Sequence, residues 1–104
     1  MVKELLKEDN FVEMVQSGVS VVDFNATWCG PCKMLHPVFE EVSNELTDCK
    51  FISVDVDENQ QLAARFNVRA VPTIVVLKDG QVKKVTAGYM DGETLKNFIT
   101  LASK

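Results

Sequence analysis

The stretch Val19-Ser20-Val21-Val22-Asp23-Phe24-Asn25-Ala26-Thr27-Trp28-Cys29-Gly30-Pro31-Cys32-Lys33 decides the fold class. Its first six residues are β-branched and nearly all apolar, the pattern of a short strand buried on both faces. Thr27 to Pro31 breaks that pattern. Beyond the break, Met34, Leu35, Val38, Phe39, Val42 and Leu46 recur at helical spacing, with Glu40, Glu41, Asn44 and Glu45 on the other side. Pro37 sits inside this helix, where its missing N–H and its ring predict a kink. A buried strand that runs into an amphipathic helix opens an α/β layer.

The same alternation continues in both directions. Asp9 or Asn10 is placed to cap a short helix carrying Phe11, Val12, Met14 and Val15, ending at Ser17-Gly18. A short strand is added at residues 2–6. Downstream, Phe51-Ile52-Ser53-Val54-Asp55-Val56 reads as a second buried strand, and Asp57 to Asn67 as a short helix with Leu62, Ala63 and Phe66. Thr73-Ile74-Val75-Val76-Leu77 is a third buried strand. Lys78-Asp79-Gly80-Gln81 turns tightly, and Val82 to Ala87 returns as a hairpin partner whose Lys83 and Lys84 suit a sheet edge. Asp91 or Gly92 opens a last helix with Leu95, Phe98, Ile99 and Leu101. Because a four-residue connection cannot cross over to a parallel neighbour, the hairpin makes the sheet mixed.

Composition bounds the function. A chain of 104 residues with 46% hydrophobic and 25% charged residues has the size and content of one domain, 1–104, with its own core. Net charge is −4, so no basic stripe is available to neutralise phosphates, and nucleic acid is excluded as a partner. No apolar run approaches the ~18 residues of a membrane span. Met1 to Glu8 is mixed in charge and lacks the apolar stretch of a signal peptide, which predicts a cytoplasmic protein, and a monomer is expected. The three cysteines do not make a disulfide scaffold.

Two of them form Cys29-Gly30-Pro31-Cys32, at the junction of strand and helix. A helix start offers unpaired N–H groups and the positive end of the dipole, both of which favour a thiolate over a thiol. Cys29, at the break, is expected to be the more exposed and the better stabilised. It would attack, and Cys32, one turn in, would resolve. Pro31 suits a first helical position. The competing reading is a zinc half-site from Cys29, Cys32 and His36, with Cys49 as a fourth ligand. The second close pair of ligands that zinc sites usually bring is missing, so no metal is expected. Cys32 and His36 share a helix face, but Pro37 and the apolar neighbours look like core, and a single helix histidine without a partner set by spacing reads as structural. A structural disulfide is weaker still, because it would close a tiny loop.

Over nearly its whole length the chain resembles the thioredoxin family. The residues that carry the resemblance are Val22-Asp23-Phe24, Ala26-Thr27-Trp28-Cys29-Gly30-Pro31-Cys32-Lys33, Pro37, Val54-Asp55-Val56-Asp57, Val71-Pro72-Thr73, Lys78-Asp79-Gly80 and Gly88, in the family's order and spacing. The resemblance implies a thioredoxin fold, a central mixed five-stranded sheet flanked by four helices. It implies a protein-disulfide reductase that cycles Cys29 and Cys32 between dithiol and disulfide without a bound cofactor. A flavin-containing thioredoxin reductase would recharge it from NADPH, and its substrates would be disulfide-containing proteins such as peroxiredoxins. Asp23 becomes a buried acid with a raised pKa that takes the proton from Cys32 through water. Its alternative is a surface Asp on a wet sheet face. Pro72 becomes a cis proline beside the sulfurs, with the backbone of Val71 open to pair with an extended substrate segment. Gly88 lets the substrate backbone approach. Trp28, Gly30, Pro31, Val71, Gly88 and Tyr89 form an apolar collar around Cys29, although Trp28 and Tyr89 also read as plain packing residues.

Departures from the family pattern are also visible. Many relatives have Trp where this chain has Asn25, which leaves Trp28 as the only indole. Many place a Lys near the buried Asp, where Ser53 falls here. Cys49, in Thr47-Asp48-Cys49-Lys50, has no motif partner and reads as an unpaired surface or half-buried thiol, with oxidation-driven dimerisation or glutathionylation as the sharper alternative. Two other functions stay open from sequence: an isomerase-like domain of an oxidising compartment, and a non-enzymatic subunit that binds partners through the same collar.

Overall fold

Every strand named above forms in a computed structural model covering residues 1–104. The elements in chain order are β1 (Val2–Glu4), α1 (Phe11–Val15), β2 (Val19–Asn25), α2 (Gly30–Glu45), β3 (Lys50–Asp55), α3 (Gln60–Arg65), β4 (Thr73–Lys78), β5 (Gln81–Ala87) and α4 (Gly92–Ala102). The sheet order is β1-β3-β2-β4-β5. β3 runs parallel to β1 and β2, whereas β4 is antiparallel to β2 and β5. The mixed sheet, its five strands and its four helices match the expected architecture, with β5 on an edge.

Strand parity divides the core into two layers. Val21, Phe51, Ile74 and Val76 face α2 and α4, packing with Leu35, Phe39, Val42, Leu95 and Ile99. Their neighbours Val22, Ile52, Val75 and Leu77 face the other way, onto Phe11, Val15 and Ala63. This explains why the central strands read as unbroken apolar runs: both faces are covered. Phe39 and Phe51 meet edge to face at 5.1 Å between ring centroids. Truncating Phe39, which is fully buried, would cost about 3–5 kcal/mol.

The same parity decides where chemistry can occur. Asp23 and Asn25 share the face of Val21, and Ser53 shares the face of Phe51, so all three point to the α2 side. The register pairs Asp23 with Ser53 and pairs Glu4 of β1 with Ser53 from the other edge. β4 is antiparallel to β2, which brings the start of β4 to the end of β2, where α2 begins.

Caps and turns account for the helix boundaries. Asn10 caps α1 by accepting from the Glu13 N–H at 3.2 Å, and Asp91 caps α4 by accepting from the Thr94 N–H at 2.9 Å. α3 is shorter than the 57–67 segment expected. At its start, Asp55 Oδ1 accepts from the Asp57 N–H, and Asn59 Nδ2 donates to the Asp55 carbonyl, a local network that competes with helix. At its end, Asn67 takes φ 56°, a left-handed stop. The β4–β5 turn has φ 51° at Asp79 and 83° at Gly80, the two positive values of a hairpin turn. Asp79 also ties that turn to the residue before β2: its Oδ1 accepts from the Gly18 N–H at 2.8 Å and its N–H donates to the Gly18 carbonyl at 2.9 Å. No helix is long and apolar enough to cross a membrane.

Candidate functional site

The chain leaves β2 at Asn25 and turns through Ala26-Thr27-Trp28, closed by the Cys29 N–H donating to the Ala26 carbonyl at 3.2 Å. Cys29 is the N-cap of α2, with extended backbone angles, and Gly30 and Pro31 form the first helical positions. The Cys32 N–H donates to Cys29 Sγ at 3.1 Å, which is the capping interaction usually made by a Ser or Asp oxygen. A sulfur held there sees a free helix N–H and the positive end of a 16-residue helix dipole. Cys29 and Cys32 are joined as a disulfide, their Cα atoms 5.3 Å apart.

The expected difference in exposure does not appear. Cys29 is 4% exposed and Cys32 is 5% exposed. Both pack against Ala26, with Val56 and Val71 at the edge of the cluster. The reason is that Cys29, as the cap, turns its sulfur inward over the first turn. The two sulfurs differ instead in what they face. Cys29 Sγ lies 3.7 Å from the carbonyl oxygen of Val71, and the Val71–Pro72 peptide is cis. Cys32 lines a cavity of about 380 Å³ on the α2 side of the sheet, which also contains Asp23, Asn25, Ser53 and His36.

Asp23 is 1% exposed, so it is not on a wet sheet face, and its Oδ1 has no hydrogen-bond partner. Burial pushes its carboxyl up to about 7, against a smaller downward pull from Asn25 beside it. The two departures from the family pattern meet here. Asn25 Nδ2 donates to Ser53 Oγ at 2.8 Å and to the Asp23 carbonyl oxygen at 3.1 Å. A neutral pair therefore stands beside the acid, where a lysine would add a positive charge.

Of the residues expected to form the collar, Trp28 is 69% exposed, and with Val71, Val56 and Val68 it walls a shallow pocket of about 150 Å³ beside Cys29. Gly88 takes φ 98°, a left-handed conformation suited to glycine, and its N–H donates to the Pro72 carbonyl at 2.9 Å. Gly30, Pro31 and Tyr89 do not line that pocket. Asp57 is the residue that sequence reasoning missed: its Oδ2 accepts from Trp28 Nε1 at 2.9 Å and holds the exposed indole. Asp57 was visible as the end of Val54-Asp55-Val56-Asp57, but nothing in sequence pairs it with residue 28.

Pro37, expected to look like core, is exposed, and so is His36; Leu35 and Phe39 fill the inner side of α2. Cys49 follows α2 at its far end, half-buried and packed against the α2-side core. Burial, with Asp48 beside it, pushes its thiol up, which makes it a poor nucleophile. No group of three or more His, Cys, Asp or Glu side chains is gathered to hold a metal ion.

The site is thus a disulfide-linked cysteine pair at a helix N-terminus, after a buried strand and facing a cis proline. The thioredoxin family model matches residues 2–101. The chain belongs to the thioredoxin family. It is 42% identical to the thioredoxin of Bacillus subtilis over 93 residues, covering 88% of this chain and 89% of that one. It is 46% identical to the thioredoxin of Staphylococcus haemolyticus, with the same coverage. Among solved structures it is similar to thioredoxin NaTrxh from Nicotiana alata, with TM-score 0.90 and 33% identity, covering 99% of this chain and 93% of that one. It is also similar to a mutant thioredoxin from Halobacterium salinarum, with TM-score 0.88 and 36% identity, covering 99% and 91%. As a thioredoxin-family protein it is a disulfide oxidoreductase working by thiol–disulfide exchange. Disulfide-containing substrates and recharging by a thioredoxin reductase are standard for the family.

Proposed function

We propose that residues 1–104 act as one reductase domain in which Cys29 attacks a substrate disulfide, Cys32 resolves the mixed disulfide, and Asp23 carries the proton from Cys32. The observation that carries this assignment is the contrast between the sulfurs: Cys29 caps the helix and faces the Val71 carbonyl, whereas Cys32 shares a cavity with the buried carboxyl. The steps balance within the two disulfides. Cys29 thiolate attacks one substrate sulfur, and the other leaves as a thiolate that takes up a proton. Cys32 then passes its proton through cavity water to Asp23. Its thiolate attacks Cys29 Sγ, forming the Cys29–Cys32 bond and releasing the second substrate thiolate with the electron pair.

An extended substrate segment is proposed to lie along the backbone of Val71 and Pro72, with Gly88 giving it room and Trp28, Gly30, Pro31 and Tyr89 around it. The further reading is a cytoplasmic monomer that draws electrons from NADPH through thioredoxin reductase and passes them to proteins such as peroxiredoxins, serving electron transport and cell redox homeostasis.

Gly30-Pro31 adds neither a proton donor nor a positive charge between the cysteines, which favours the reducing direction. The test is the reduction potential of the Cys29–Cys32 pair. Thioredoxins lie near roughly −270 mV, a figure for the family rather than one read from this chain, and protein disulfide isomerase lies near −180 mV. The expected value is near the first, and a value near the second would sink the reductase assignment. A double Cys29→Ser, Cys32→Ser variant is expected to lose biological activity, and retained activity would identify a binding subunit instead.

A further inference from the structure

We propose that His36 is the relay residue through which a proton leaves buried Asp23, at the mouth of the cavity that Asp23, Cys32 and His36 line together. The inference rests on the role assigned to Asp23 above.

Asp23 is buried on a central strand, with one carboxyl oxygen unpaired. A proton taken from Cys32 has to leave Asp23, or it returns to the Cys32 thiolate and holds back resolution. The Asn25–Ser53 hydrogen bond closes the sheet side of the cavity with neutral groups. On the α2 side of the cavity, Cys32, His36 and Glu40 succeed one another at four-residue intervals on one helix face. The cavity has room for several water molecules and is lined by polar groups able to hold them.

The charged groups that face His36 across this space are Asp23 from β2, Glu4 from β1, and Lys33 and Glu40 from its own helix. An imidazole ring carries two nitrogens, one able to accept a proton while the other donates one, so a single side chain can pass a proton between cavity water and bulk. His36 is exposed, so it can exchange that proton with solvent or buffer, while Cys32 one turn earlier is buried. In the balanced cycle, Cys32 Sγ–H gives its proton to Asp23. The proton on Asp23 passes through cavity water to the His36 ring and from there to bulk, and Cys32 thiolate, no longer able to recover it, displaces the substrate sulfur from Cys29. No oxidant beyond the substrate disulfide is needed.

The test is single-turnover reduction of a disulfide peptide by the reduced chain in weak buffer near pH 7, comparing the parent with His36→Ala and Asp23→Asn. His36→Ala is expected to slow resolution about fivefold, less than the ~10²-fold typical of losing a direct general base. Added imidazole is expected to return it to the parent rate, with formation of the mixed disulfide unchanged. A parent-like rate for His36→Ala in weak buffer overturns the proposal. A slow rate that imidazole does not restore also overturns it, since that marks a packing or charge effect. If Asp23→Asn resolves at the parent rate, the assignment of Asp23 fails and this one fails with it. If Asp23→Asn is slow while His36→Ala is not, only the relay fails.

Discussion

Cys29 and Cys32 are three residues apart and equally buried, yet they sit in opposite surroundings. Around Cys29 are the Val71 carbonyl, the cis Pro72 and an exposed indole, a surface suited to another protein's backbone. Around Cys32 are a cavity with room for several waters, a buried acid and an uncharged Asn–Ser pair, a space suited to protons. The difference teaches that accessibility does not distinguish the two sulfurs, and that the division of labour proposed for them rests on which side of the strand–helix junction each one faces. Capping turns Cys29 toward the start of β4, and one further turn of helix swings Cys32 over the face that carries Asp23.

Replacing each sulfur is the largest way to break this comparison. Cys29→Ser is expected to reduce disulfide reduction to the uncatalysed level, as for loss of any essential nucleophile. Cys32→Ser is expected to form the mixed disulfide and stop, leaving a trapped adduct visible by mass spectrometry. Equal trapping by both variants would mean that the two surroundings are interchangeable.

Asp23→Asn comes next. It is expected to slow resolution about 10²-fold while leaving formation of the mixed disulfide close to the parent rate. Equal slowing of both steps would count against a role on the Cys32 side alone. The same variant has a stability signature. Folded Asp23 holds its proton up to about 7, whereas the unfolded carboxyl loses it near 3.8. Between those values the folded state binds more protons, so stability falls as pH rises through the window and levels off above it. The penalty reaches roughly 4 kcal/mol at most. Asp23→Asn, neutral throughout, is expected to be more stable than the parent by a few kcal/mol near pH 8 and about equal near pH 4. Denaturant titrations at the two pH values check this.

The smallest effect belongs to the Cys29 side. Asp57→Ala removes the acceptor for Trp28 Nε1, worth about 1 kcal/mol, and is expected to raise KM for a protein disulfide about fivefold with little change in kcat. Trp28, the only indole, is expected to change its emission when the disulfide is reduced. An unchanged spectrum would separate it from the sulfurs.

Much of this was legible in the residues. Val19–Phe24, Thr73–Leu77 and the amphipathic run of α2 announced their elements because burial on two faces or one stripe leaves a periodic trace. The cysteine pair announced itself by spacing and by its place at a helix start. Asp23 stood out as an acid among valines, and Ser53 fell opposite it as alignment implied. What stayed hidden depended on three-dimensional closure. The equal burial of Cys29 follows from the direction of a cap, which composition does not carry. Asp57 meets Trp28 across 29 residues of chain, and Asn25 meets Ser53 across 28, through a sheet register that no local pattern encodes. His36 was seen to share a face with Cys32, but a cavity has no sequence signature.

The antiparallel placement of β4 beside β2 has a consequence for assembly. It gathers the site at one end of the sheet, and both chain ends lie at the other. The Met1 amino group donates to Asn44 in the last turn of α2, about 20 Å along the helix from its cysteine cap. The Ser103 carbonyl accepts from Lys78, at the far end of β4 from Pro72. A neighbouring domain joined at either end would start away from the sulfurs, so the module can be strung into longer chains with its working end facing outward.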